Sequence, residues 1–175
     1  LASDTNRNLY IVEGEQIRIV HADFFELRSS PCQSVSKLEV FPDGDLWMRS
    51  MISSEICSKD EEGWHRHIAT PDTFRYVNAI QQDSQGRIWI ANSQDLMLRN
   101  TDGEWYRLSG GFLDTDSVIS DIAIDLQDRL WFVMGNTLFV YNGDTFVTFS
   151  SSIIDERVWW SGYEDHGHAM LFDQE

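Results

Sequence analysis

Short apolar runs alternate along the chain with clusters of Gly, Asp, Asn and Ser. Runs bounded in this way read as β-strands joined by tight turns. No stretch carries the 3.6-residue periodicity of an amphipathic helix of useful length. The clearest copy of the pattern predicts strands over Val77 to Gln82, Arg87 to Ala91, Leu96 to Asn100 and Glu104 to Leu108. Asp83-Ser84-Gln85-Gly86 and Thr101-Asp102-Gly103 supply two of its turns, with Ser93-Gln94-Asp95 as the loop between the second and third strands. An Asp-Gly pair flanked by apolar residues is a strong hairpin signal. Glu62-Gly63 and Asn142-Gly143-Asp144 mark the same place in the neighbouring copies.

The second strands differ from the rest. Ile88-Trp89-Ile90-Ala91 and Leu130-Trp131-Phe132-Val133 are apolar at consecutive positions. A sheet with one wet face would alternate. Continuous apolarity predicts burial on both faces, as in a sheet packed between two others. Trp64, Trp105 and Phe146 begin the fourth strands, where their rings suit the outer edges of adjacent sheets.

The pattern is periodic. Asp43-Gly44-Asp45-Leu46-Trp47-Met48, Gln85-Gly86-Arg87-Ile88-Trp89-Ile90 and Gln127-Asp128-Arg129-Leu130-Trp131-Phe132 place tryptophans at 47, 89 and 131, two steps of 42 residues. A fixed period in this range signals propellers, solenoids or arrays. Four short strands per unit favour an all-β β-propeller of four-stranded antiparallel blades. The predicted blades cover about 8–27 (partial), 35–68, 77–108, 119–149 and 156–175 (partial or closing) of one domain, 1–175. The first lacks an innermost strand, a place that Arg157-Val158-Trp159-Trp160 would fill, since closure removes exposed edges. The run His168 to Phe172 is left over. About four blades result, with a partial fifth, an arc of a larger propeller, or a homodimer completing one as the other readings.

The run Ile80-Gln81-Gln82-Asp83-Ser84-Gln85-Gly86-Arg87-Ile88-Trp89-Ile90-Ala91, continued by Asp102-Gly103-Glu104-Trp105, resembles the two-component-regulator propeller repeat. The copy from Ile122 to Phe149 departs from it in one place: Asp128-Arg129 stands where Gly86-Arg87 does. The copy from Leu38 to Ile68 is looser. The resemblance implies an extracytoplasmic sensor region of bacterial signalling receptors, periplasmic or extracellular, often glycan-binding.

Composition narrows the partners. Twenty-nine acids against 13 bases give a net charge of −16. Such a surface repels nucleic acid and anionic membrane and attracts a basic protein or a cation. No apolar run reaches the ~20 residues that span a bilayer, so no membrane insertion is expected, and no signal peptide is visible. The chain begins Leu1-Ala2-Ser3-Asp4, without Met. Cys32 and Cys57 stand 25 residues apart with no Cys-x-x-Cys, which leaves either a disulfide or two buried thiols.

Candidate chemistry is sparse. Asp43, Asp83 and Asp125 precede the turn between first and second strands; they read as ligands of turn amides or, alternatively, as a cation site. Asp102, Glu104, Asp60 and Asp144 sit in outer hairpin turns as solvated groups. His65-x-His67 and His166-x-His168 place imidazoles on one face of a strand, too short a signal for a metal centre. No metal or cofactor is predicted, and no Gly-x-Ser-x-Gly elbow or other catalytic motif is present. The long loops fall on one rim: Arg28 to Ser34, Ala69 to Tyr76, Ser109 to Ser117 and Ser150 to Glu156. Recognition concentrates on such loops. Arg49, Phe74, Arg75, Tyr76, Phe112 and Trp160 are the aromatic and cationic candidates for ligand binding there. The expected function is recognition of a protein or glycan through this rim. An acidic inhibitor or immunity-type protein that blocks a basic toxin or enzyme is the alternative, and a propeller hydrolase or lyase stands third.

Overall fold

The computed structural model describes residues 2, 3, 7–41, 43–50, 53, 55–60, 62–68, 77–92, 95–108, 118–135 and 137–149. Sixteen strands form four four-stranded antiparallel sheets, and no helix occurs among the described residues. The first sheet is β1 (Ala2–Ser3), β2 (Leu9–Glu13), β3 (Gln16–Val20) and β4 (Phe25–Ser29). The second is β5 (Val35–Val40), β6 (Leu46–Ser50), β7 (Glu55–Lys59) and β8 (Trp64–Ile68). The third is β9 (Val77–Gln82), β10 (Ile88–Asn92), β11 (Leu96–Arg99) and β12 (Trp105–Leu108). The fourth is β13 (Ile119–Ile124), β14 (Leu130–Met134), β15 (Thr137–Tyr141) and β16 (Phe146–Phe149). Within each sheet the strands are neighbours in chain order. These are the blades that the 42-residue period predicts.

The first blade is complete in a way the sequence reading did not foresee. Ala2 pairs with Tyr10 and Ser3 with Leu9, so the edge of β2 reserved for Arg157–Trp160 is occupied by the N-terminal residues themselves. The segments 157–160 and 168–172 lie outside the described residues.

The chain divides into two compact units, residues 1–77 and 78–175. In the first unit, Tyr10, Ile17 and Ile19 pack with Leu38, Leu46, Met48 and Cys57 into one core. In the second, Trp89, Ala91 and Leu96 pack with Ile119, Ile122, Leu130, Phe132, Met134 and Phe139. One face of a blade thus meets the opposite face of the next. Each Leu, Ile or Phe so buried contributes roughly 1.5–3 kcal/mol. Every residue of β10 is buried, as the unbroken apolar run requires. Trp64 and Phe146, at the fourth-strand starts, pack against these cores as expected.

The three period-defining tryptophans occupy the same place in register. Trp47 pairs with Ser58, Trp89 with Leu98 and Trp131 with Val140, each on the second strand. Trp47 and Trp89 are each 3% exposed, whereas Trp131 is half-buried.

Candidate recognition surface

A carboxylate latch rigidifies one rim. Asp83 Oδ1 accepts the backbone N–H of Gln85 at 3.1 Å and of Arg87 at 2.9 Å. Its Oδ2 accepts Arg87 Nε at 2.6 Å and the indole Nε1 of Trp89 at 2.9 Å. Asp125 repeats all four bonds with Gln127, Arg129 and Trp131, at 3.0, 2.9, 2.6 and 2.7 Å. The guanidinium of each arginine lies over the tryptophan two residues on, 5.8 Å for Arg87 and 5.3 Å for Arg129. Burial alone would push the Asp125 carboxyl up; its bonds to Trp131, Arg129 and Gln127 outweigh that and hold it below the ordinary value. With every strong acceptor position used, these aspartates serve the turn and not a cation.

The fourth position of the turn needs a left-handed backbone. Gly86 has φ 78° and Asp128, its counterpart, φ 58°. Aspartate is among the few residues that tolerate this region. The departure from the glycine pattern gains a contact: Asp128 accepts the backbone N–H of Ser84 at 2.9 Å and also its hydroxyl. Those two bonds lower the Asp128 carboxyl. The turn of one blade is thereby tied to the turn of the next.

The second blade lacks the latch. Asp43 is not the counterpart of Asp83 and Asp125. Those stand six residues before their tryptophans, and six before Trp47 is Phe41. The turn bonds agree: Phe41 N–H donates to Asp45 C=O, as Asp83 does to Arg87 and Asp125 to Arg129. Asp43 instead accepts the N–H of Asp45 at 2.9 Å. Asp45 occupies the arginine position. Burial first, then the charges of Asp43 and Asp60, push its carboxyl up. The buried indole N–H of Trp47 has no partner among the described residues. Its ring stacks on His67 at 5.3 Å and meets Phe41 at 5.9 Å.

The sequence pattern assigns the predicted binding residues to the other rim. Phe74, Arg75, Tyr76, Phe112 and Trp160 lie outside the described residues. Arg49 does not: its Nη1 donates to the backbone carbonyl of Val77 at 2.7 Å, anchoring the start of β9. Cys32 and Cys57 are joined by a disulfide, their Cα atoms 6.0 Å apart, both sulfurs in the core of the first unit. Beside Cys32 opens a polar cavity of about 410 Å³, lined by Glu15, Gln16, Ser29, Gln33 and Arg66 among others. Ser30 shapes its wall, donating its N–H to Glu15 C=O and its hydroxyl to Cys32 C=O. Arg66 is paired with Glu55.

The histidine pair of β8 is engaged internally. His65 Nε2 contacts Asp60 Oδ1 at 3.0 Å, and His67 Nε2 contacts Ser58 Oγ at 2.8 Å. Among the described residues no three His, Cys, Asp or Glu converge as metal ligands. His166 and His168 lie outside them. Asp60 also accepts the N–H groups of Glu62 and Gly63, and Asp102 that of Glu104. These outer-turn acids cap their own hairpins. Sequence reasoning missed His21, held between Asn8 at 2.8 Å and Glu26 at 3.2 Å in a groove of about 430 Å³ that Tyr10, Lys59 and Trp64 also line. A similar groove, about 330 Å³, lies between the third and fourth blades, lined by Arg87, Trp89, Leu98 and Tyr141. Register makes the two equivalent: Tyr10 pairs with Ile19 as Trp89 pairs with Leu98.

Radially repeated four-stranded meanders packed face to face define a β-propeller, and solved structures share the fold. Virginiamycin B lyase from Staphylococcus aureus superposes with a TM-score of 0.69 at 17% identity, over 85% of this chain and 53% of the lyase. The extracellular domain of a putative hybrid two component system from B. thetaiotaomicron gives 0.65 at 15% identity, over 85% of this chain and 21% of that domain. PorZ, a surface component of the type-IX secretion system of Porphyromonas gingivalis, gives 0.64 at 15%, over 86% and 27%. The chain spans about half the length of the lyase and less of the other two. At these identities the likeness is one of fold. No curated protein matches the sequence. Residues 73–94, which include β9 and β10 of the third blade, match the model of the two component regulator propeller family.

Proposed function

We propose that this chain is the ligand-recognition part of an extracytoplasmic sensor and binds a protein or glycan at its long-loop rim. The observation that carries the reading is the contrast between the rims. On the latch rim the carboxylates of Asp83, Asp125 and Asp128 are committed to internal bonds. Strand order alone assigns the long loops to the opposite rim. A rigid scaffold below variable loops is the usual arrangement of a binding surface. The regulator-type repeat and the two-component extracellular domain among the similar structures support a sensing role. The buried disulfide suits an oxidising compartment.

The test is binding of the exported, oxidised protein to a glycan array and to periplasmic and surface proteins of its source. Arg75→Ala, Tyr76→Ala or Phe112→Ala should abolish a retained interaction, while Gln85→Ala on the opposite rim should not. The reverse pattern would overturn the rim assignment. The net charge of −16 favours a second reading, a blocker of a basic protein. That partner's affinity would fall steeply as salt rises, because its association is steered by charge.

A further inference from the structure

Lys59 and Trp64 are register partners beside the outer turn of the second blade. Leu46 pairs with Lys59, so the three form one row across the sheet, and Leu46 places that row on the face that meets the first blade. On the first blade the facing row is Tyr10, Ile19 and Glu26, Tyr10 pairing with Ile19 and Ile19 with Glu26. The groove of about 430 Å³ lies between the two rows. Both of its walls are built by the first unit.

The fourth blade fills the same place differently. Its row is Leu130, Tyr141 and Phe146. Tyr141 stacks on Phe146 at 4.5 Å and meets Trp89 edge-on at 6.0 Å, and its hydroxyl donates to the Gly143 carbonyl. A ring whose one polar group is satisfied closes that position. Lys59 brings to it an ammonium with three donors. Among the described residues Lys59 enters no ion pair or hydrogen bond. The Asp45 carboxyl, raised by burial and by Asp43 and Asp60, feels it only as a lesser opposing charge.

The other charges of the groove are spent on one another. Glu26 accepts Arg28 Nε at 2.9 Å and Nη2 at 2.5 Å, and His21 Nε2 lies 3.2 Å from its second oxygen. The other ring nitrogen of His21 faces Asn8 Oδ1 at 2.8 Å. Lys59 is the charge left over, and it is positive in a chain of −16. Beside it stand Trp64 and two members of the core, Tyr10 and Ile19. Small-molecule sites span roughly 300–1,000 Å³ and join apolar walls to a few polar groups that fix orientation.

We propose that this groove binds a small organic monocarboxylate. The carboxylate pairs with the Lys59 ammonium, and the apolar body lies along Tyr10, Ile19 and Trp64. One ammonium matches one negative charge. A phosphate would bring up to two, with no guanidinium fork left to receive the second and Glu26 close by to repel it. The neutral amide of the same acid would fill the walls but lose the ion pair. The site sits at the turn ends of the strands and is independent of recognition at the long loops.

The experiment is a nuclear magnetic resonance titration of the oxidised chain with benzoate and with hexanoate, benzamide and inorganic phosphate serving as comparators. Both carboxylates should shift the Lys59 amide and the Trp64 indole N–H together and saturably, while benzamide and phosphate should leave them in place. Lys59→Met keeps the length of the stem and removes the charge; it should weaken binding about tenfold or more, the loss expected for a charge-assisted bond. Lys59→Arg should retain most of the affinity. The melting temperature checks that each variant folds, and Lys59→Gln replaces the methionine variant if that one does not. The absence of a saturable shift with either carboxylate would overturn the proposal. So would equal binding of benzamide or phosphate, or undiminished binding by a folded variant without the charge.

Discussion

Trp89 donates its indole N–H to Asp83 Oδ2 across 2.9 Å, and the same carboxylate holds two backbone amides and the Arg87 guanidinium. Four donors therefore depend on one side chain that is 4% exposed. Asp83→Ala strands all four, including the buried Trp89 indole and the partly exposed Arg87 guanidinium. Leaving such buried donors without their acceptor costs about 2–3 kcal/mol. Urea denaturation should show the unfolding free energy falling by that amount, and Asp125→Ala should lose somewhat less, since Arg129 and Trp131 are more exposed. Asp43→Ala, which frees one exposed turn amide, should cost less than about 1 kcal/mol.

The second blade offers the converse test. Phe41 and Asp45 stand where the latch aspartate and arginine would be, and the Trp47 N–H lacks a partner among the described residues. Phe41→Asp alone buries a carboxylate beside Asp45 and should destabilise. The double substitution Phe41→Asp/Asp45→Arg supplies both halves of the latch and should recover that loss. The coupling between the two changes, read from a double-mutant cycle, should reach roughly 1–3 kcal/mol in favour of the pair.

What the sequence disclosed follows from the same contrast. The tryptophans at 47, 89 and 131 set the blade count because a buried indole needs the same slot in each sheet. The strands of the third blade were legible to within a residue, since its turns carry Gly86 and Gly103. The latch was half legible. Asp83 and Asp125 read as turn ligands, but Asp43 aligns with them only because it opens the Asp43-Gly44 turn before Trp47. Only the spacing of six to the tryptophan, which reflects the reach of Asp Oδ2 to the indole, separates Phe41 from it. The strand Ala2–Ser3 was missed because two residues carry no periodicity. Arg49 reads as a ligand-binding cation of the long-loop rim because a bond to a main-chain carbonyl leaves no trace in sequence. The loop residues proposed for ligand binding rest on the order of strands alone.

The carboxylates of the turn rim predict opposite pH responses. Asp125 is held below the ordinary value of 3.8, so its stabilisation is present above that pH and is lost as pH falls through its depressed value. Asp125→Asn should therefore lower the melting temperature at pH 7, and the gap to wild type should narrow in acid. Asp45 is raised by burial and by Asp43 and Asp60, so its charged form costs stability at neutral pH and protonation relieves it. Asp45→Asn should raise the melting temperature at pH 7 and make little difference once pH falls below the carboxylate range. Parallel slopes for the two variants would show that the two carboxylates do not differ in environment.

The disulfide between Cys32 and Cys57 closes a loop of 25 residues in sequence separation. It ties the segment leaving β4 to the third strand of the next blade, inside the core shared by Tyr10, Leu38 and Met48. Chain-entropy reasoning for a loop of that length gives about 3 kcal/mol of stabilisation. Both sulfurs are almost fully buried, so a reductant reaches them only when the first unit opens. Reduction under native conditions should be slow and should accelerate with urea in step with unfolding of that unit. The Cys32→Ser/Cys57→Ser variant should lose stability by at least the loop contribution, since it also sets two hydroxyls in an apolar core. Rapid reduction in native buffer, at a rate indifferent to denaturant, would mean that the bond is open to solvent and no part of the core.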